Sequence, residues 1–198
     1  LYGNKGLLST TRFNVSGGSD NSKYFVGVTY KNEEGIVANT GYERLGLRLN
    51  LDQKLSKWFD VQFSSAYTRS SADRGYFNND NTSTTNGVAL SQTPPWAELH
   101  PDANGNYPNN PYATANMLQT VEQMTNNEAV NRIISGITFT THLMERDNQS
   151  LRFIVRGGLD NYGMVTKVIA PPTLQFQSGG VGTEGFVAYG NSTNTNRN

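Results

Sequence analysis

Between Lys23 and Ser70 three successive segments alternate apolar with polar or small residues over a strand's length, and this constrains the chain more than any other feature. In the first, Tyr24, Val26, Val28 and Tyr30 share a face opposite Phe25, Gly27, Thr29 and Lys31. In the second, Leu45, Leu47, Leu49 and Leu51 stand opposite Arg44, Gly46, Arg48, Asn50 and Asp52. The third sets Phe59, Val61, Phe63, Ser65 and Tyr67 against Asp60, Gln62, Ser64, Ala66 and Thr68. A period of two over about ten residues is that of a strand with one apolar and one polar face.

What the apolar face meets decides the fold class. In a soluble sandwich it packs on a second sheet, and short strands recur at regular spacing all along the chain. Here the strands are long and of similar length. Strands of about ten residues that alternate apolar with Arg, Asn, Gln and Ser match a transmembrane barrel, lipid outside and water within. Tyr24, Tyr30, Trp58, Phe59 and Tyr67 fall near strand ends, where an amphipathic ring suits the headgroup level. The expected fold is therefore all-β, an antiparallel meander forming part of a transmembrane barrel. A soluble antiparallel sheet with one solvated face is the alternative, and the matching function is a secreted carbohydrate-binding or adhesin-like β domain.

Composition narrows the classes further. The 198 residues include no run approaching the roughly 20 apolar residues that a spanning helix needs. Only 35% are hydrophobic, as suits strands needing an apolar residue at every second position. Charges balance and no basic run occurs, which argues against a nucleic-acid surface. Cysteine is absent and says little about compartment. The chain opens on Leu1 without a methionine and closes in a polar run, so it reads as an internal piece of a longer protein.

In chain order, strands are expected near 12–18, 23–31, 42–54, 58–70, 129–143 and 150–162. Tight turns fall at Ser19 to Ser22, Leu55 to Lys57 and Met144 to Ser150, and Asn32 to Gly41 is a medium connection. Two long loops, 71–127 and 163–198, complete the pattern, the second marked by Pro171, Pro172, Gly179 and Gly180. A helix is expected inside the first, from Tyr112 to about Met124, with Pro111 at its start. Alternate connections of a meander emerge at opposite rims, so every tight turn lies at one end and every longer connection at the other. Outer-membrane barrels sort their loops in this way.

Ser16 to Asp20, Tyr24-Phe25, Gly27 to Tyr30, Glu34 to Val37, Tyr42 to Arg44 and Leu47 to Asp52 occur in an order that resembles the SusC/RagA family of TonB-dependent outer-membrane transporters. Pro94-Pro95, Asp102 to Tyr107, Asn110-Pro111, Leu151 to Phe153 and Gly158 to Asp160 are similar to that family too. The resemblance implies a barrel of 22 strands in the outer membrane, filled by a plug and driven by the TonB complex. It also implies a SusD-like surface lipoprotein as partner and oligosaccharide or peptide as cargo. The plug and the TonB box are expected to lie outside this chain.

No catalytic constellation, cofactor site or metal site is expected: His100 and His142 are the sole histidines, and no second histidine or cysteine stands at metal-ligand spacing from either. Arg44, Arg48, Arg132, Arg152 and Arg156 all fall on the expected lumen face. They read as a basic wall that meets plug carboxylates or an anionic part of the cargo, or as the ordinary hydrated lining of a lumen. Tyr76, Trp96, Tyr107 and Tyr112, in the first long loop, are candidates for stacking on sugars or docking the lipoprotein. Equally, they are what a small loop core requires.

Overall fold

The structure, a computed structural model, describes residues 1–3, 5–77, 80–177 and 185–197. Strands β1 (Leu8–Gly18), β2 (Ser22–Glu34), β3 (Gly41–Lys54), β4 (Phe59–Asp73), β5 (Thr125–Arg146), β6 (Gln149–Ala170) and β7 (Phe186–Arg197) form one antiparallel sheet in chain order. Two short helices, α1 (Asn86–Gln92) and α2 (Met117–Gln123), lie in the β4–β5 connection. β1 and β7 are each paired on one side only, so the sheet is open.

Register carries the alternation from strand to strand. One row joins Val15, Val26, Leu49, Ser65, Ser135 and Leu159, and a second joins Gly17, Tyr24, Leu51, Phe63 and Ile137. The opposite face carries rows such as Asn14, Gly27, Arg48, Ala66, Ile134 and Asp160. Val26, Leu47, Val61, Ile137 and Phe153 thus share one face of a single sheet, and among the described residues no second sheet covers it. Phe13 is 65% exposed, Phe153 59% and Leu47 42%. Leaving a Leu, Val or Phe in water forgoes about 1.5–3 kcal/mol each, so a face built of them is made for an apolar solvent.

The apolar band also drifts across the sheet. Leu45 lies in a row with Arg69, Asn131 and Gly163, yet the apolar run of β6 ends at Leu159, nearer the tight turns. Such a drift is what strands tilted to a barrel axis require if the band is to stay level in a membrane.

The drift explains the first correction. Sequence reading leaves 163–198 as loop, but 163–170 completes β6 and 186–197 is a seventh strand; 178–184 and Asn198 lie outside the described residues. β7 pairs with Leu159 to Ala170 alone, from the end of the apolar run of β6 onward, so most of its ladder needs no outward apolar alternation and its second half is rich in Asn and Thr. The expected 112–124 helix shortens to α2, because Asn116 caps it by accepting from the amides of Leu118 and Gln119. α1 has no cap bond from the Thr85 side chain and no strong period to announce it. The last turn contracts to Asp147 and Asn148, with the register slipping between His142 and Met144. β1 begins at Leu8, four residues before the expected start near 12.

The tight turns sit at one rim and bond to one another: Lys54 N donates to Asn21 O at 2.7 Å and His142 N to Trp58 O at 2.9 Å. Beside the first turn, the ring of Tyr24 covers Gly17 directly opposite it, and a Cβ there would lie 2.6 Å from the Tyr24 hydroxyl. A side chain at position 17 would have to displace that ring.

Candidate functional site: loop module and inner wall

At the other rim the long loops fold into a module. Ala89, Leu99, Ala115 and Met117 form a buried cluster against which Leu1, Ala97, Ala113, Leu118 and Phe176 pack. Amide side chains then bond the loops to one another. Asn116, fully buried, donates to the carbonyls of Leu99 (3.0 Å) and Pro108 (2.8 Å) while its oxygen caps α2. Asn110 donates to Thr93 Oγ1 and to the Ala115 carbonyl.

These amides also tie in the β6–β7 connection. Gln175 accepts from Asn110 N at 2.7 Å and donates to the carbonyls of Asn110 and Ala113. Gln119 donates to Thr173 O at 2.7 Å and accepts from Gln175 N. A planar amide that both donates and accepts bridges two loop backbones at once, which is how loops lacking ladder bonds satisfy their carbonyls.

Two turns of the module are set by carboxylates. Asp80 accepts from the backbone of Thr82, Thr84 and Thr85 and from the Thr82 hydroxyl. Bonds from Thr85 and Thr82 hold its carboxyl well below the usual carboxylate range. Asp102 accepts from the backbone of Asn106 and Asn104, both at 2.9 Å, and these bonds lower its carboxyl as well. Gly105, at φ 82°, closes this turn in the left-handed region.

The four loop aromatics divide. Tyr76 is half-buried and stacks on Phe176, ring centroids 6.1 Å apart, so it joins the two connections. Tyr107 is half-buried, and burial together with the Glu122 charge raises its hydroxyl above the ordinary value. Trp96 is 77% exposed and Tyr112 is exposed too, each presenting a ring to solvent. Among the described residues His100 bonds Glu98 at 2.7 Å, and both are exposed. Among the described residues no three His, Cys, Asp or Glu side chains gather as a metal site would require.

The arginines on the polar face of the sheet divide too. Arg132 holds Asp160 in a two-pronged pair at 2.9 and 2.6 Å, and Arg152 lies 3.6 Å from Glu145. Arg156 lines a hollow with Asn50, Asp52, Gln62 and Gly136. Near the tight turns, His142 bonds Asp60 at 2.8 Å. Arg44 and Arg48 line a hollow of about 690 Å³ together with Arg12, Lys31, Phe25, Gly27, Thr29 and Gly46. Arg12 is the wall residue that sequence reasoning passed over. Its signal was parity: it alternates with Phe13 and Val15 in the first strand.

No family model matches the chain. Over 210 aligned residues it is 29% identical to TonB-dependent receptor P3 of Formosa agariphila. The alignment takes in 96% of this chain and 19% of that receptor, so the chain spans about a fifth of its relative's length. An all-β antiparallel meander with a bare apolar face is consistent with a piece of such a receptor's barrel.

Proposed function

We propose that this chain is part of the barrel wall and outer surface of a TonB-dependent transporter in the outer membrane, importing nutrient oligomers and performing no catalysis. The observation that carries the reading is the uncovered apolar face of the sheet, with tight turns at one rim and a folded loop module at the other. An apolar band facing lipid and a polar face lining water is the arrangement a spanning sheet needs, and the unpaired edges of β1 and β7 then join further strands, because open edges are costly in lipid. Energy coupling passes through the plug and the TonB complex. In the finer reading, taken from the SusC/RagA resemblance, the loop module faces outward and meets a SusD-like lipoprotein that delivers glycan or peptide.

Within the module, Trp96 and Tyr112 are the contacts, as exposed rings with little to hold in place, while Tyr76 and Tyr107 stiffen the loops behind them. The test uses the full-length transporter carrying Trp96→Ala and Tyr112→Ala. Uptake and lipoprotein affinity are expected to fall about ten-fold, about 1.4 kcal/mol, with barrel assembly unchanged by heat-modifiable gel mobility. Normal uptake and affinity in the double variant would withdraw the outer-surface assignment. Extraction into buffer without detergent would withdraw the barrel, and a secreted binding domain would replace it.

A further inference from the structure

Resting on the transporter reading, we infer that the hollow bounded by Arg12, Arg44 and Arg48 is a binding site for oxyanion groups, carboxylate or sulfate, on the cargo. Register sets the geometry. Arg12 lies in a row with Thr29 and Gly46, and Gly46 stands between Arg44 and Arg48 on β3, so three guanidinium-bearing side chains surround a floor of small residues. A Cβ at Gly46 would meet nothing nearer than Thr29 at 3.9 Å, so the floor is open. Among the described residues, Arg12, Arg44 and Arg48 have no acidic partner. The fourth cation of the lining, Lys31, is held by Glu33 at 2.6 Å and lies over the Tyr42 ring.

No Asp or Glu lines the hollow. Guanidinium forks match carboxylate and sulfate geometry, and unpaired ones around a concave surface draw anions. Phe25 adds an apolar ring among them, a surface suited to the flat side of a sugar.

Position argues for cargo over an internal carboxylate partner. Arg44 is three residues from the end of β3 at the loop-module rim, where cargo would enter, and Arg12 and Arg48 lie toward mid-strand. The half of the same face nearer the tight turns carries both signs, Lys23, Asp52, Lys54, Asp60 and Arg156, with Asp60 bonded to His142. There the hollows are lined by Asp20, Asp52 and Asp60 beside the cations, whereas no acid lines the hollow bounded by Arg12, Arg44 and Arg48.

The experiment measures binding of a dextran sulfate oligomer and of unsulfated dextran of equal length to the purified full-length receptor. The receptors are wild type, the triple variant Arg12→Gln/Arg44→Gln/Arg48→Gln, the charge-keeping Arg→Lys triple, and a control with Lys23→Gln and Lys54→Gln. Wild type is expected to prefer the sulfated oligomer at least ten-fold at low salt. The glutamine triple should lose that preference, and the lysine triple and the control should largely keep it. Equal binding by wild type and the glutamine triple overturns the inference. So does a glutamine triple that binds normally but loosens its plug, seen as a lowered unfolding temperature, since the cations then pair within the protein. A receptor whose barrel fails to assemble even as wild type, by heat-modifiable mobility, counts against the transporter reading and leaves the charge pattern of the wall as it stands.

Discussion

The sheet and the loop module follow opposite rules within one chain. In the sheet Leu47, Leu49 and Phe153 point outward, exposed, and the polar residues face inward. In the module Ala89, Leu99, Ala115 and Met117 are buried and Trp96 is an exception at the surface. The sheet satisfies its backbone through ladders and leaves its side chains to choose a solvent, whereas the module lacks ladders and recruits Asn110, Asn116, Gln119 and Gln175 to bond loop carbonyls. The difference teaches that hydrophobicity alone does not define an inside: one region leaves its apolar side chains uncovered and the other buries its own.

The comparison breaks most readily at Leu49. Leu49→Arg places a charge at mid-band on the outward face and is expected to destabilise the membrane-assembled receptor by about 2–4 kcal/mol, read from unfolding in vesicles. On a soluble protein's surface the same change would be close to neutral, so a neutral result would mean this face meets water.

Next comes Asn116→Ala. It leaves the Leu99 and Pro108 carbonyls and the first turn of α2 without partners, at a cost of about 1–3 kcal/mol for each buried group left unsatisfied. Limited proteolysis should then cut within 74–124 while the barrel stays heat-modifiable. Loss of barrel and module together would show that the two are one cooperative unit. At Gly17, substitution by Val displaces the exposed Tyr24 ring and should cost about 1 kcal/mol, measured by thermal unfolding, with the module untouched.

Acid sharpens the contrast more gently. Asp80 and Asp102 have carboxyls lowered by the folded turns, so the stabilisation they supply is intact above the ordinary carboxylate range and fades as the pH falls through it and below. Amide exchange at 82–85 and 104–106 should therefore accelerate in acid before exchange in β3 and β4 does. Simultaneous acceleration would remove the assignment of these turns to Asp80 and Asp102. Smallest of all is the expected change in stability for Trp96→Ala, within about 0.5 kcal/mol, since so exposed a ring holds little in place.

What sequence alone determined was the sheet wherever the alternation is strict. From Tyr24 to Tyr67 and from Ile133 to Leu159 the period of two sets which side chains share a face, because successive side chains of a strand must point apart. The sorting of tight turns and long loops to opposite rims followed from the same chain order. The open sheet, the drift of the apolar band and the seventh strand were decided by tertiary structure: β7 is held by backbone ladder bonds to β6, which leave no trace in residue type. The module was likewise hidden, since Asn116 and Gln175 look like ordinary loop polar residues until the carbonyls they bridge, many positions away, are brought beside them. The separation of Arg132, locked on Asp160, from the unpaired Arg12, Arg44 and Arg48 is also tertiary. Parity puts all of them on one face, but which cation finds an acid depends on register between strands, and that is fixed only when the sheet forms.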